Sequence, residues 1–318
     1  MSIILLAVLL CSPLLFIYNS VAALSATAPA YGQLSVSGTK LMGNNKQVAL
    51  HGNSLFWSQW YPQFWNTTTL KVCVSPMGVD QGGYLSDPNG QYKLVTTVIE
   101  AAINLGLYVI VDWHVSATYT DQAVAFFTKI SKAYGSYPHI IYETYNEPLG
   151  VSWTGELVPY HKKVIAAIRA NDKTNVIILG TPSWYTFHFY AGTHTVSGLG
   201  AKVTAALQKN LPIFVTEYGA CEASGDGTIA TSSMNAWWTF LDGNKISYVN
   251  WSICNKGESC SALITSAGAA NVASSSYWTT SGKLIQAFYK QQSNGKRQLL
   301  WLSVGILDVA LKLKLLMK

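Results

Sequence analysis

Four carboxylates lie in or directly after short apolar runs that predict buried strands: Asp112, Glu143, Glu147 and Glu217. Their placement is easy to recognise because only 15 of the 318 residues are acidic. Hydrolysis of a glycosidic bond needs two carboxyl groups at one site. One is protonated and donates to the leaving oxygen, and the other is ionised and attacks or stabilises the sugar cation. We interpret Glu147 and Glu217 as this pair. The alternative is that each carboxylate is structural and pairs with a Lys or Arg.

Aromatic and histidine side chains near the same strand ends would complete a sugar-binding site. Flat rings cover the faces of pyranose rings, while polar neighbours bind the hydroxyl groups. The aromatic candidates are Trp57, Trp60, Trp65, Trp113, Trp153, Trp184, Trp251, Tyr84, Tyr190 and Tyr218. The histidine candidates for a polar subsite are His51, His114 and His188. The other three histidines, His139, His161 and His194, are expected to have structural roles and not to bind sugar.

The strands that must position these residues alternate with helix-like segments. Eight apolar runs predict strands at 48–51, 72–77, 108–112, 139–143, 176–179, 187–190, 213–217 and 246–251. The clearest predicted helix is 93–104, with its apolar residues on one face and Gly106 as its cap. Eight short strands separated mostly by helices favour an α/β fold, the (β/α)₈ TIM barrel, over a doubly wound sheet. In such a barrel the carboxyl ends of the strands line the active-site mouth.

One predicted connection is too short for this fold. Seven residues separate Leu179 from Phe187, whereas a parallel crossover with its helix needs at least about 10–12. The stretch before Val72 is also short for a loop and a helix. We therefore expect a truncated connection between strands five and six. A chain of this kind either folds poorly or keeps its barrel with a gap and a distorted sixth strand.

The two ends of the chain differ from its body. Residues 3–18 are an apolar run followed by small residues, which predicts a secretory signal peptide over residues 1–23. The alternative is a short membrane anchor. Residues 24–295 are predicted to form one catalytic barrel. Residues 296–318 are an apolar and basic tail of unknown role, either an interfacial helix or translated non-coding sequence. Without this tail the chain holds 16 basic and 14 acidic residues, which excludes a basic nucleic-acid-binding surface.

Secretion would place the chain in a compartment where cysteines pair. The expected mature chain contains Cys73, Cys221, Cys254 and Cys260. Four cysteines allow three pairings, and the sequence alone does not choose among them. The chain contains no CxxC, HExxH or His/Cys cluster, so a structural zinc site is not expected.

Seven motifs, in this order along the chain, resemble glycoside hydrolase family five. They are HGNSLFW (51–57), MGVDQGGYL (77–85), VDWH (111–114), YNEP (145–148), HFYAGTH (188–194), VTEYG (215–219) and VNWS (249–252). The similarity covers roughly residues 31–291. It is closest to the secreted endo-β-1,4-glucanases (cellulases) of bacteria and plant-parasitic nematodes.

The resemblance implies a retaining mechanism in which Glu147 is the general acid/base. Glu217 would be the nucleophile that forms a glycosyl-enzyme. Asn146 would hold the sugar 2-hydroxyl. His188 and Tyr190 would support the two glutamates, with Tyr190 donating a hydrogen bond to Glu217.

The resemblance also implies how the substrate is held. His51 and His114 would line the site of cleavage, Trp251 would be its stacking platform, and Trp57 would contact the sugar beside it. No metal and no organic cofactor are expected. The expected partner is a β-1,4-glucan polysaccharide, bound by a secreted, extracellular monomer without a membrane span.

Two departures from the family pattern keep other hypotheses open. The family carries an arginine on its second strand that keeps the nucleophile ionised, and this chain has Val74 at that position, with Cys73 and Pro76 also foreign to the pattern. Together with the short crossover, this change favours a damaged paralogue that only binds glucan, or a chain that does not fold. A mannan- or xylan-active relative is the alternative among enzymes.

Overall fold

A computed structural model describes residues 24–69, 73–115, 117–148, 150–180 and 186–292, without the side chains of residues 73–76 and 186. The predicted signal peptide and the tail therefore lie outside the described residues. So do Trp184 and the side chains of Cys73 and Val74. Within the described ranges, every helix falls short of the length and apolar character that a bilayer span requires.

A small antiparallel sheet precedes the main body of the fold. Its strands are β1 (Leu34–Ser37), β2 (Lys40–Gly43) and β3 (Lys46–Gln47). Eight parallel strands follow: β4 (His51–Leu55), β5 (Cys73–Gly78), β6 (Val109–His114), β7 (Ile140–Glu143), β8 (Val176–Ile178), β9 (Thr186–Tyr190), β10 (Phe214–Gly219) and β11 (Ser247–Ile253). They pair in the order β8-β7-β6-β5-β4-β11-β10-β9. The predicted (β/α)₈ architecture is confirmed.

The helices that cover this sheet lie between the strands, except the last, which follows β11. Those in the described residues are α1 (Pro88–Leu105), α2 (Thr120–Tyr134), α3 (Val158–Asn171), α4 (Ala201–Gln208), α5 (Thr231–Gly243) and α6 (Thr280–Gln292). Helix α1 shows why such a segment folds locally. The Asp87 side chain accepts a hydrogen bond from the Gly90 backbone N–H, and Pro88 starts the helix. Gly106 ends it with a left-handed φ of 72°.

Apolar side chains fill the barrel and the space between its strands and helices. Side chains from five barrel strands, mostly from the N-terminal halves of those strands, form one cluster: Ile110, Ile141, Ile178, Phe214 and Val249. Leu34 of β1 and Val48 belong to the same cluster, so the first sheet closes this end of the barrel. The polar strand residues are left to the opposite, carboxyl end, where a site is expected.

The first barrel strand differs from its prediction. We expected it at 48–51, whereas it runs from His51 to Leu55. Gly, Asn and Ser, which are weak strand formers, occupy positions 52–54, so the apolar run that predicted the strand stops before them. They are held in the sheet by pairing with β11 on one side and β5 on the other. His51 therefore begins its strand and does not end it.

The connection from β8 to β9 is the irregular part of the barrel. In the described part of the chain, no helix lies between these strands and no hydrogen-bonded pairing joins them, so they form the two edges of the sheet. Val176 and Ile177 of β8 are partly exposed, whereas every residue of β6 and β7 is buried. The pairing of β9 with β10 also shifts register between Phe214 and Glu217. The expected truncation leaves a gap at this seam.

Candidate active site

Three elements bring Glu147, His188 and Glu217 together at the carboxyl end of the barrel. Glu147 follows β7, His188 lies in β9, and Glu217 lies beside His188 in β10. The Nδ1 atom of His188 is 2.8 Å from Oε1 of Glu147 and 4.0 Å from Oε2 of Glu217. One oxygen of each glutamate and the imidazole nitrogen all lie within 4.8 Å of one another. The two glutamates singled out in the sequence therefore share one site.

Tyr190 holds the second oxygen of Glu217. It lies two residues after His188, and side chains two apart in a strand point to the same face. The Tyr190 hydroxyl donates a hydrogen bond of 2.5 Å to Oε1 of Glu217. Burial and the negative charge of Glu217 raise the pKa of Tyr190, so the phenol keeps its proton and remains a donor. Oε2 of Glu217 is left facing His188.

His188 is the cationic group of this cluster. Burial alone would lower the pKa of its imidazole, but the negative charges of Glu217 and Glu147 raise it to about 9. Its hydrogen bond to Glu147 lowers the pKa of that carboxyl in turn. On its other side, Nε2 lies 3.0 Å from Oγ1 of Thr216. At neutral pH the resting pair is therefore an imidazolium and a carboxylate.

Two further carboxyl groups lie buried below the cluster. Asp112 and Glu143 are each 3% exposed. Oδ2 of Asp112 is 2.7 Å from Nδ1 of His114. Burial raises the pKa of both carboxyls and lowers that of His114 to about 4. His114 is therefore neutral at pH 7.

The alternative interpretation of the four carboxylates required a Lys or Arg partner for each of them. In the ranges that the structure describes, the ion pairs of Lys and Arg are Arg169 with Asp172 and Lys256 with Glu258. None of the four carboxylates at the barrel mouth takes part in these pairs. The structural interpretation of these four groups is therefore not supported.

Aromatic rings form a wall beside the two glutamates. The ring of His114 is edge-on to Trp57 at 4.4 Å and stacked near Trp251 at 5.4 Å. Trp57 stacks in turn on Trp60 at 4.7 Å, and Trp60 is 45% exposed. The peptide bond after Trp251 is cis. Asn146 is buried next to Glu147 in the same loop.

A comparison with known families decides what kind of protein carries this site. The profile described as "Cellulase (glycosyl hydrolase family 5)" matches residues 41–186 and 184–257. The chain belongs to glycosyl hydrolase family 5. The family resemblance predicted from the motifs is thereby confirmed. The two matched segments meet at residues 184–186, which is the place of the shortened connection between β8 and β9.

Named cellulases are similar over most of the chain. An endoglucanase of Clostridium saccharobutylicum is 36% identical over 302 residues, which cover 84% of this chain and 67% of that protein. Endoglucanase Z of Dickeya dadantii is 40% identical over 276 residues, or 76% of this chain and 65% of that protein. The chain thus spans about two thirds of the length of these relatives.

A solved structure shows the same fold. A variant of the catalytic domain of Thermobifida fusca endoglucanase Cel5A, in complex with cellotetraose, is 27% identical with a TM-score of 0.77. The comparison covers 83% of this chain and 98% of that domain.

His51 is not part of the family 5 site in this chain. Its ring stacks on Tyr248 at 4.1 Å and lies 3.5 Å from Asp242 at the end of α5. Barrel helices run antiparallel to their strands, so the end of α5 lies at the N-terminal end of the barrel. The expectation that His51 lines the site of cleavage is wrong, because His51 begins β4.

The aromatic candidates divide between the site and the core. Trp57, Trp60, Tyr190 and Trp251 contact the cluster or its wall. Four others are buried in the core: Trp65, Trp113, Tyr84 and Tyr218. Trp153 is 39% exposed and lies near His161.

Thr216 is a site residue that the sequence did not reveal. Strict alternation in β10 would place Thr216 and Glu217 on opposite faces of the sheet. The pairing of β10 shifts register at this point with both neighbouring strands, so both side chains reach His188. The only available signal was a hydroxyl residue next to the predicted nucleophile.

One disulfide lies next to β10, the strand that carries Glu217. Cys221 is bonded to Cys260, whereas Cys254 is free and buried. Of the three pairings left open, the structure thus contains the Cys221–Cys260 bond. A side chain at Gly219 would come within 2.5 Å of both the Cys260 sulfur and the Tyr190 ring, so only glycine allows this close approach. The bridge ties the end of β10 to the loop after β11.

The same trio is the arrangement closest to a metal site in the described residues. Glu147, His188 and Glu217 could each present one ligand atom. The direct hydrogen bond between His188 and Glu147, however, already uses the nitrogen and oxygen that a metal would need. The arrangement suits proton transfer between these two groups.

Proposed function

We propose that this chain is a secreted, retaining endo-β-1,4-glucanase that cleaves internal bonds of cellulose-like polysaccharides without metal or cofactor. The observation that carries the proposal is the placement of one oxygen of Glu147 and one of Glu217 within 4.8 Å. Retaining glycosidases hold their two carboxyl groups about 5–5.5 Å apart, and inverting enzymes about 6.5–9.5 Å. A separation in the shorter class favours Glu217 itself, over a water beside it, as the group that attacks.

In the first half of the reaction, Glu217 is the nucleophile. Its Oε1 is held by the Tyr190 hydroxyl, which fixes the carboxylate and leaves Oε2 free to attack the anomeric carbon. Glu147 takes up the proton of His188 across their hydrogen bond and donates it to the leaving oxygen as the bond to that carbon breaks. The product is a glycosyl ester on Glu217 and a shortened chain with a free end.

The second half restores the enzyme. Glu147, now a carboxylate, takes a proton from water, and the resulting hydroxide attacks the same carbon and releases Glu217. The side chain of Glu147 is 45% exposed, so water reaches it. Two displacements at one carbon give net retention of configuration.

The aromatic wall supplies the sugar contacts of the proposal. Trp251 and Trp57 flank His114, and exposed Trp60 extends the apolar surface away from the glutamates. Asn146, beside Glu147, is proposed to bind the sugar 2-hydroxyl, a contact that strengthens in the transition state. An apolar surface longer than one sugar can hold several sugars of a polymer. Such a surface suits cleavage of interior bonds, and we propose that the enzyme acts as a monomer.

Two further observations support parts of the proposal. The names of relatives that are 36–40% identical favour glucan over mannan or xylan as substrate. The Cys221–Cys260 disulfide is typical of an oxidising compartment and supports secretion together with the predicted signal peptide.

The gap between β8 and β9 favours a second candidate, a glucan-binding protein that hydrolyses poorly. His188 and Tyr190 lie on β9, at the edge of this gap. Displacing them by about 1 Å would weaken catalysis more than binding.

The test uses the full chain, secreted from a eukaryotic host. Reducing ends released from carboxymethyl cellulose, mannan and xylan measure activity and preference, and ¹H NMR of the first product formed from cellotetraose measures its anomeric configuration. We expect release from carboxymethyl cellulose above the other two, with the β-anomer formed first. An α-anomer formed first would exclude the retaining mechanism, and binding without release would favour the second candidate.

A further inference from the structure

Tyr190 ends the edge strand β9 and is supported from one side of the sheet. Its partner in the pairing of β9 with β10 is Gly219. On the side of β8, no strand pairs with β9 in the described residues. Tyr190 nevertheless holds the nucleophile, since its hydroxyl donates to Oε1 of Glu217 at 2.5 Å. The position of this hydroxyl therefore depends on what β10 and its neighbouring loops provide.

Two backbone hydrogen bonds fasten the chain after Tyr190 to the end of β10. The Ala191 N–H donates to the carbonyl oxygen of Gly219, and the Gly192 N–H donates to that of Cys221, each at 2.8 Å. Cys221 is thus a point at which β10 holds the edge strand, and it is also one end of the disulfide. A displacement of Cys221 would be passed to Tyr190 through these bonds.

The other end of the bridge packs against the Tyr190 ring. A β-carbon placed on Gly219 would lie 2.5 Å from the Cys260 sulfur and 2.5–2.6 Å from two carbons of the ring, so the sulfur and the ring are at most about 5 Å apart. Sulfur and aromatic rings attract each other at about this distance. The two cysteines are 0% and 1% exposed, so the bridge is a buried support behind the ring.

The loops that carry the two cysteines also have other contacts with each other. The Cys260 N–H donates to the carbonyl oxygen of Gly225, and both the N–H and the hydroxyl of Ser259 donate to Oδ1 of Asp226. Because these bonds remain when the disulfide is cut, we expect the two loops to stay together. The two sulfurs must move apart, since non-bonded atoms repel at the length of a covalent bond. The change is therefore greatest in the packing behind Tyr190.

We propose that the Cys221–Cys260 bridge is a positioning element of the active site, which fixes Tyr190 and through it the nucleophile Glu217. The inference rests on the proposed function, since it assigns what holds the proposed nucleophile in place. Neither cysteine contacts the sugar in this scheme. Both act through the ring and the backbone of Tyr190.

The Tyr190 hydrogen bond matters in both halves of the proposed reaction. In the first half it holds Oε1 of Glu217, so that Oε2 is directed at the anomeric carbon. In the second half it stabilises the carboxylate that leaves, because a hydrogen bond to an ionised group is stronger than one to a neutral group. A shift of about 1 Å in such a contact costs on the order of 10²-fold in rate.

The test removes the bridge in the full secreted chain by the double substitution Cys221→Ser/Cys260→Ser. We expect kcat on carboxymethyl cellulose to fall roughly 10- to 100-fold, with KM within about twofold of the parent, because an interaction made in the transition state is lost. The matched control is Asp226→Ala, which removes a contact between the same two loops and leaves the bridge intact. It should keep the kcat of the parent.

A double-mutant cycle separates positioning from general stability. If the bridge acts through the Tyr190 hydroxyl, its removal should change kcat by no more than about twofold in a Tyr190→Phe background, since the two losses are coupled. An equal fold-loss in the parent and in Tyr190→Phe would show an independent structural role and overturn the proposal. All variants are assayed well below their Tm, after circular dichroism has shown that they fold.

Reduction of the folded parent provides a second route if the serine variant does not fold. Dithiothreitol breaks the S–S bond, adds one hydrogen to each sulfur and is itself converted to a cyclic disulfide. Alkylation and mass spectrometry count the thiols released. The reduced chain should lose kcat as the serine variant does and regain it on reoxidation. Reduction of this bond without loss of kcat would contradict the proposal.

NMR of ¹³C-tyrosine-labelled chain distinguishes failure of this proposal from failure of the proposed function, because it needs no activity. The Tyr190 ring signals are assigned by their absence from Tyr190→Phe, and they should move when the bridge is removed but not in Asp226→Ala. A chain that hydrolyses no glucan but shows this response would refute the proposed function and leave the positioning in place. An active retaining enzyme whose kcat and Tyr190 signals ignore the bridge would refute the positioning alone.

Discussion

The barrel has two seams of opposite character. Where β4 meets β11, four residue pairs join the strands and close the sheet, the first three in one register and the last after a register shift. At the β8 and β9 edges, no pairing joins the strands and no helix lies between them in the described ranges of the chain. The active cluster lies at the open seam. Glu147 comes from the β7 side, His188 and Tyr190 come from β9, and Glu217 lies one strand beyond them.

The contrast shows which interactions hold the active cluster together. At the closed seam the backbone fixes the distance between neighbouring side chains. At the open seam the hydrogen bond from His188 to Glu147 spans from β9 to the loop after β7, across a place where the backbones do not pair. The position of Glu147 relative to Glu217 therefore depends on side-chain contacts through His188. Catalysis should be more sensitive than folding to changes at this seam.

The largest effect on activity is expected from removing Glu217, which lies in the fully paired strand β10. Glu217→Ala removes the nucleophile and should lower kcat on carboxymethyl cellulose by on the order of 10⁴-fold or more. Glu147→Ala should lose less on an activated aryl cellobioside, whose leaving group needs no proton, and azide should partly restore it. Glu222→Ala, in the loop after the same strand, is the matched control. Substantial turnover by Glu217→Ala would contradict the assignment.

The next effect concerns the open seam itself. A helix-bearing segment of about 20 residues inserted after Trp184 is enough for an ordinary helix and its loops, and it would cover β8, whose Val176 and Ile177 are partly exposed. We expect the Tm to rise by roughly 5 °C or more, since 1 kcal/mol corresponds to about 2–4 °C in a large domain. Activity should rise with it, because β9 carries His188 and Tyr190.

The control for this insertion is a Gly/Ser-rich segment of the same length, which lengthens the connection without adding a helix. It should leave the Tm unchanged or lower it. If the chain as written already melts cooperatively at about 45–65 °C, the usual range for mesophile domains, and hydrolyses glucan well, the gap has no functional cost.

The comparison of the seams also shows what the sequence can predict. The eight strands and the glutamate pair were predicted because apolar runs and local motifs mark them. The missing crossover was predicted from a residue count alone. Thr216 was missed because the irregular pairing of β10 breaks the alternation of side chains, and such irregularity depends on neighbouring strands that the local sequence does not specify. His51 was misplaced for a related reason, since the sheet overrides the weak strand propensity of residues 52–54.

A smaller effect is expected from a cation added on the second barrel strand. Val74→Arg restores the family arginine, which favours an ionised Glu217 through a charge-assisted hydrogen bond. We expect turnover to rise and the acidic limb of the pH profile to move to lower pH.

Val74→Leu is the control, since it changes volume without adding charge. The pH profiles of parent, Val74→Leu and Val74→Arg are compared after circular dichroism has shown that all three fold. If Val74→Arg folds and gains nothing, His188 already serves as the cation for Glu217, whose Oε2 lies 4.0 Å from Nδ1.

The smallest effect on activity is expected from replacing His51, which begins β4 at the end of the barrel opposite the glutamates. Its side chain is 12% exposed and stacks on Tyr248, and burial, aided by Lys245, lowers its pKa to about 4. The unfolded chain binds this proton below about pH 6.5 and the folded chain only below about pH 4, so His51 makes the protein less stable as the pH falls through this window. Phenylalanine keeps a flat ring and cannot bind a proton. His51→Phe should therefore leave kcat/KM at pH 7 within about twofold of the parent, and urea unfolding should show a smaller loss of stability between pH 6.5 and pH 4. A fall in kcat/KM of tenfold or more, with folding intact, would instead place His51 at the substrate and contradict the position of β4.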